Sequence, residues 1–217
     1  MYPTESRSRI IVFAKTAQPG TVKTRLIPLL GAHGAAAVHA RLVEHTLSMA
    51  AAAYPDSLQL HASSVEDAFL RACADRHHAT LIQQAEGDLG ARMHHAFELV
   101  LARDGCTSAV LIGSDCPALN STHLQQALRA LDAGSDAVFA PAEDGGYVLV
   151  GVARPNRRIF EGIQWSTAQV MKQTRQRLTE IGWSWNELET LWDIDTPADY
   201  RRLVESALLS PHVISRY

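Results

Sequence analysis

Six short apolar runs punctuate the chain: RIIVFA (9–14), SLQLHA (57–62), ATLIQQ (79–84), SAVLIG (108–113), DAVFAP (136–141) and YVLVGV (147–152). The first and fourth are apolar nearly throughout, as strands covered on both faces of a parallel sheet should be. Between the runs, apolar residues recur at helical spacing, in HGAAAVHARLVEHTLSMAAAA (33–53), LGARMHHAFELVLARDG (89–105) and HLQQALRALDAG (123–134). Gly105 and Gly134 stand where two of these helices would end, and Asn120-Ser121-Thr122 offers caps for the third. Alternating strands and helices predict an α/β fold, with a mixed, mainly parallel sheet and helices on both faces.

After YVLVGV the rhythm changes. QVMKQTRQRLTEIGW (169–183) reads as one amphipathic helix, WSWNELETLWDID (183–195) as an extended segment, and TPADYRRLVESALL (196–209) as a terminal helix with Pro197 in its first turn. No repeat, low-complexity tract or shift in composition marks a boundary, so the expectation is one domain over residues 1–217 whose last third extends the sheet and closes over one end.

Composition narrows the function classes. The hydrophobic share of 47% suits a globular core, and the formal charge of −3, from 20 basic and 23 acidic residues spread along the chain, provides no basic field for a nucleic-acid backbone. Any anion site must be local. Cys73, Cys106 and Cys116 are odd in number and lack C-x-x-C spacing, which points to free thiols and a cytoplasmic location. The start, MYPTESRSR, is polar, and the alanine-rich run 35–53 is interrupted by His39, Arg41, Glu44 and His45. The expected state is therefore a monomer or homodimer without a membrane partner.

In open α/β sheets ligands bind beyond the carboxyl ends of the strands, which directs attention to the residues just after each apolar run. FAKTAQPGTVKTRL (13–26) places Lys15, Lys23 and Arg25 around Gly20, a loop that could converge on phosphate or equally be a solvated turn. It lacks the spacing of a P-loop. LIGSDCPALN (111–120) presents Asp115 at a strand end, suited either to Mg²⁺ or to capping a turn, with Cys116 a poor nucleophile for want of a neighbouring base. PAEDGGYVLVG (141–151) sets Asp144 before two glycines: a base for an acceptor hydroxyl, or a hairpin turn. LWDIDTPADY (191–200) carries Asp193 and Asp195 two apart, hence on one side of an extended segment, as a cation site or as a helix cap. Trp165, Trp183, Trp185 and Trp192 crowd the last third, where they could wall a sugar or base or fill the core.

Taken in order, FAKTAQPGTVKTRL, EGDLGARM, LIGSDCPALN, EDGGYVLVG, WSTAQV and DIDTPADY resemble the bacterial DUF2064 family of the glycosyltransferase A, or nucleotide-diphospho-sugar transferase, fold. The resemblance extends to molybdenum-cofactor and 2-phospholactate guanylyltransferases. It implies that Lys15, Gly20, Lys23 and Arg25 hold a donor's phosphates, that Asp115 binds Mg²⁺ or Mn²⁺, and that Gln84 and Gly90 contact the base. It further implies that Gly145, Gly146 and Tyr147 approach the sugar or acceptor, and that Asp193 and Asp195 lie near the metal. The opening loop lacks the form seen in the molybdenum-cofactor enzymes, and Asp115 lacks the D-x-D of typical glycosyltransferases. The function expected is metal-dependent transfer from a nucleotide donor to a small-molecule acceptor, most naturally glycosyl transfer. Lys23, Arg25, Asp115 and Asp144 would be the catalytic residues. Nucleotidyl transfer with release of pyrophosphate is the first alternative, and a non-catalytic nucleotide-binding module the second.

Overall fold

The computed structural model describes residues 8–102, 105–206 and 208–209. The polar stretch before Ser8, residues 103–104 of one expected helix and residue 207 of the last lie outside these. Among these described residues seven strands form one sheet in the order β3-β2-β1-β4-β6-β5-β7. They are β1 (Ser8–Ala14), β2 (Leu58–Ala62), β3 (Thr80–Gln83), β4 (Ser108–Gly113), β5 (Ala137–Pro141), β6 (Tyr147–Val152) and β7 (Trp185–Glu187). Strand β6 runs against its neighbours: it pairs antiparallel with β4 and β5, whereas the remaining pairs of these strands are parallel.

Among the described residues six helices complete the layers: α1 (Ile27–Ala53), α2 (Ala68–Arg76), α3 (Leu89–Leu101), α4 (Ser121–Asp132), α5 (Val170–Glu180) and α6 (Pro197–Ser206). Alternation along the strands divides the core in two. Ile10, Val12, Val110, Ile112 and Leu149 face Val43 and Leu47 of α1, Leu70 of α2 and Leu124 and Leu128 of α4. Ile11, Leu111, Phe139 and Val150 face Met93 and Phe97 of α3 and Met171 and Leu178 of α5. Both sheet faces are thus covered, which is why the central strands read as unbroken apolar runs.

Helix α1 starts earlier than its apolar period suggested, with a break at Gly31 (φ 70°) that redirects its first turn. With the short 3-10 turn before it, Thr24–Ala53 is long and apolar enough to cross a membrane, by length and composition only. In this fold Ala35, His39, Leu42, Val43, Thr46 and Leu47 of that helix are buried. Asn120 caps α4 as expected, accepting from the amides of Thr122 and His123 while His123 accepts from the amide of Asn120. A third cluster, Leu26, Leu42, Trp192, Ile194 and Leu203, fastens the last third of the chain over the beginning of α1.

Strands β1 and β4 are parallel neighbours, in register from Ser8↔Ser108 to Phe13↔Gly113. From β1 the chain goes to β2 on one side, and β4 lies on the other, which makes their carboxyl ends a topological switch point. Lys15 and Asp115 leave the sheet there side by side.

Candidate active site

The loop after β1 is shaped by its own turns. Gly20 has φ 84°, a left-handed conformation that glycine adopts without strain. Thr21 donates to the Gln18 carbonyl from both its amide and its hydroxyl, and the Thr16 amide donates to Ser63 Oγ at 2.9 Å beyond β2. Lys23 also sits in the left-handed region (φ 47°), where a side-chain-bearing residue costs about 1–2 kcal/mol. That backbone directs its side chain inward, with only 5% of it exposed. The ammonium lies 3.0 Å from Asp115 Oδ2 and donates to the Ile194 carbonyl. The Ile194 amide in turn donates to the Asp115 carbonyl at 2.9 Å. Arg25 is ion-paired with Asp195. The opening loop, the end of β4 and the 191–195 segment are thereby tied into one corner.

The D-G-G segment is the β5–β6 hairpin turn. The Gly146 amide donates to Asp144 Oδ1 at 2.8 Å, and the Ala142 and Gly146 main chains close the turn at 3.0 Å. Gly145 has φ 89°, and a Cβ there would stand 2.4 Å from the Ala168 carbonyl oxygen. The turn therefore packs against the 165–170 segment, joined by the Met171 amide donating to the Gly145 carbonyl at 2.9 Å. On the other side Glu143 forms a two-pronged pair with Arg202, whose guanidinium lies 4.2 Å from the Trp192 ring centre.

Two cavities meet at these groups. One, of about 500 Å³, is lined by Lys15, Lys23, Arg25, His39, Asp115, Asp144, Asp193 and Asp195. The other, of about 320 Å³, shares Asp115, Asp144 and Asp193 and continues over Cys116, Gly146, Tyr147 and Trp165. Tyr147 and Trp165 meet edge to face, centroids 6.4 Å apart. The first cavity is charged and the second has an aromatic wall.

The carboxylates differ in their electrostatics. Burial alone would raise Asp115, but the Lys23 ammonium and His39 more than offset it and hold the carboxyl well below the usual range. Asp193 is pushed up to about 6, first by burial and next by the charge of Asp144. Asp193 is the carboxylate short of compensating charge at this polar cavity; no group of three or more His, Cys, Asp or Glu side chains forms a metal cage among the described residues, so a divalent cation here would take most of its ligands from phosphate oxygens and water. Asp115 and Asp193 are the residues that would hold it, with Asp144 beside them, while Asp195 is taken up by Arg25. Burial pushes the Cys116 thiol up to about 11, so it is protonated at neutral pH and unsuited to nucleophilic attack.

Of the residues singled out from sequence, Lys15, Lys23, Arg25, Asp115, Asp144, Asp193 and Asp195 converge on the charged cavity, and Gly146 and Tyr147 on the aromatic one. Gly20 shapes the loop tip and is exposed. Gln84 is buried, and its amide is spent inside the protein: Nε2 donates to the His61 carbonyl at 2.7 Å and Oε1 accepts from Arg92 at 2.9 Å. Gly90 lies at the start of α3, outside the two cavities above, where a Cβ would meet Trp165 Cζ2 at 2.7 Å and the Phe160 carbonyl at 2.9 Å; it lines a separate cavity of about 740 Å³. His39 was not anticipated. Its signal was its place four residues after Ala35 and three before Leu42, on the buried stripe of α1.

A family model described as "Uncharacterized protein conserved in bacteria (DUF2064)" matches residues 43–167, more than half of the chain. The chain belongs to the DUF2064 family. The matched part holds Asp115, the D-G-G turn and Trp165, while the 13–26 loop and the 191–195 segment lie outside it. No curated protein matches this DUF2064 chain in sequence.

Among solved structures, a protein of Desulfovibrio desulfuricans G20 named "putative nucleotide-diphospho-sugar transferase" is 29% identical, with a TM-score of 0.83 over 95% of this chain and 90% of its own. CMP:2-keto-3-deoxy-manno-octonic acid synthetase complexed with CTP is 10% identical (TM-score 0.59, 94% of this chain and 100% of that one). Glucosyl-3-phosphoglycerate synthase of Mycobacterium tuberculosis, in complex with Mn²⁺, UDP and glucosyl-3-phosphoglycerate, is 11% identical (TM-score 0.52, 92% and 77%). The latter two share the fold. The architecture of the DUF2064 chain is that of the nucleotide-diphospho-sugar transferases.

Proposed function

We propose that this DUF2064 protein is a divalent-cation-dependent transferase that moves a glycosyl group from a nucleotide sugar to a small acceptor. The observation that carries the reading is the junction of the two cavities. Asp115, Asp144 and Asp193 line both, so a donor can lay its phosphates among Lys15, Lys23 and Arg25 and its sugar against Tyr147 and Trp165. The name of the Desulfovibrio protein, similar over nearly the whole of both chains, supports the same reading.

Each residue then has a task. Lys23 and Arg25 offer cationic donors to the phosphate oxygens on which charge accumulates as the donor bond breaks, a contribution that is commonly the largest in such reactions. Asp144 accepts the proton of the acceptor hydroxyl. The acceptor oxygen bonds to the anomeric carbon, the bond from that carbon to phosphate oxygen breaks, and a nucleoside diphosphate leaves. A divalent cation on Asp115 and Asp193 would neutralise phosphate charge. Tyr147 and Trp165, one ring edge-on to the other, supply an aromatic wall that excludes water beside the reacting bond.

One observation favours nucleotidyl transfer as the second reading: three cations of a single loop line the phosphate cavity, a set suited to a triphosphate tail. In that reaction a phosphorylated acceptor attacks the α-phosphorus and pyrophosphate leaves. Incubating the protein with Mn²⁺, candidate acceptors and either nucleotide sugars or nucleoside triphosphates separates the two. Released nucleoside diphosphate supports glycosyl transfer, and released pyrophosphate replaces it with the second reading.

A further inference from the structure

Asp115, Asp144 and Asp193 share the junction of the two cavities with one further residue, Ser166. It follows Trp165 of the aromatic wall, on an exposed stretch that packs against the D-G-G turn carrying Asp144. Its backbone is left-handed (φ 63°), a conformation that glycine takes freely and that strains a residue with a Cβ. The chain is pinned on both sides of it: the Trp165 amide donates to the Ile163 carbonyl at 3.0 Å, and the Val170 amide to the Thr167 carbonyl at 3.3 Å. Glycine would fit this backbone with less strain. What serine adds is a hydroxyl between the charged cavity and the aromatic one.

The chemistry of the junction gives that hydroxyl a partner. A sugar hydroxyl both donates and accepts, whereas an ionised carboxylate only accepts. A sugar hydroxyl among the three aspartates can donate to one of them, and its oxygen then calls for a donor. The other neutral donors around the aromatic cavity are committed or enclosed. Tyr147 Oη and Trp165 Nε1 are shielded from solvent. The Thr167 hydroxyl donates to the Gln164 carbonyl at 2.7 Å. Cys116 is buried, and a thiol is a weak donor. Ser166 is exposed, and among the described residues no hydrogen bond engages its hydroxyl.

We propose that Ser166 is a sugar-binding residue: its hydroxyl donates a hydrogen bond to a hydroxyl of the donor's sugar, at the point where sugar and phosphate meet. This rests on the glycosyl-transfer reading of the site. The phosphates lie on the side of Lys15, Lys23 and Arg25, so the contact is made to the sugar and is absent once only the nucleoside diphosphate is bound. Ser166 therefore separates the affinity for a nucleotide sugar from the affinity for its diphosphate.

The test titrates UDP-glucose, UDP-N-acetylglucosamine, GDP-mannose, UDP and GDP, each with Mn²⁺, into the wild type, Ser166→Ala and Ser166→Gly by calorimetry. Alanine keeps the backbone strain and glycine relieves it, while both remove the hydroxyl. Each variant should bind the nucleotide sugar that the wild type binds most tightly about 3–10-fold more weakly, the worth of one neutral hydrogen bond. Its affinity for the matching diphosphate should stay within about 2-fold of wild type. Wild-type affinity for the nucleotide sugar in either variant, or an equal loss for sugar and diphosphate, overturns the inference and leaves the glycosyl-transfer reading intact. A wild type that binds no nucleotide sugar of the panel overturns both. Should one variant fail to fold, the other decides alone by the same two affinities.

Discussion

The Lys23 ammonium lies 3.0 Å from Asp115 Oδ2, joining the loop after the first strand to the end of the fourth. The pair is reached through a left-handed backbone at Lys23 and is backed by the Ile194 carbonyl, so the corner is stabilised before any ligand arrives.

Replacing Lys23 with Met leaves Asp115 without its closest counter-ion and should cost about 1–3 kcal/mol of stability at neutral pH. The sign of the pH dependence follows from Asp115. Its carboxyl is held below its unfolded value, so the stabilisation is present above that value and lost as pH falls through the folded one. Urea midpoints of the wild type and Lys23→Met should therefore differ at pH 7 and draw together in strong acid. The same variant should bind nucleotide sugars at least ~10-fold more weakly, as the loss of a charged hydrogen bond requires.

Asp193 behaves in the opposite sense. Its pKa is raised to about 6, so its favourable contribution is complete below the unfolded value near 3.8 and is lost as pH rises to 6 and beyond. Asp193→Asn removes a charge that burial and Asp144 oppose. In EDTA it should raise the melting temperature by about 2–4 °C at pH 8, with the gain vanishing near pH 4. The same change should weaken divalent-cation binding. A variant less stable than wild type at pH 8 would contradict this account.

Gly145 combines a positive φ with a Cβ position 2.4 Å from the Ala168 carbonyl. Gly145→Ala should destabilise by about 2–4 kcal/mol, the sum of left-handed strain and overpacking. Gly20→Ala has the same strain but open space around it, and should cost only about 1–2 kcal/mol. Denaturant titration of the two variants compares them directly.

These particulars show what the chain makes legible. All six apolar runs are strands of the sheet, and the site lies at the end where the parallel strands finish and the turn before antiparallel β6 joins them; the runs themselves are legible because strand period and burial are local properties of the sequence. The antiparallel insertion of β6 between β4 and β5 was only implicit, in the two glycines that fold its hairpin. Which cation meets which carboxylate was beyond reach. Lys23 with Asp115 and Arg25 with Asp195 are contacts between distant segments, and spacing along the chain does not encode their distances. Gln84 illustrates the converse: its motif suggested a ligand contact, but its neighbours in space use up its amide. His39 could have been found by asking what a buried polar residue on an alanine-rich stripe must bond to.

The central claim is that a nucleotide donor lies across the carboxyl ends of β1 and β4 with its phosphates beside Lys23 and a divalent cation beside Asp115. Isothermal titration of nucleotide sugars and nucleoside triphosphates into the wild type and Asp115→Asn, with and without Mg²⁺, tests it most directly. At least one nucleotide should bind the wild type more tightly with Mg²⁺, and Asp115→Asn should abolish the Mg²⁺ effect. Failure of every nucleotide to bind, or an Asp115→Asn variant that keeps the full Mg²⁺ effect, would contradict it.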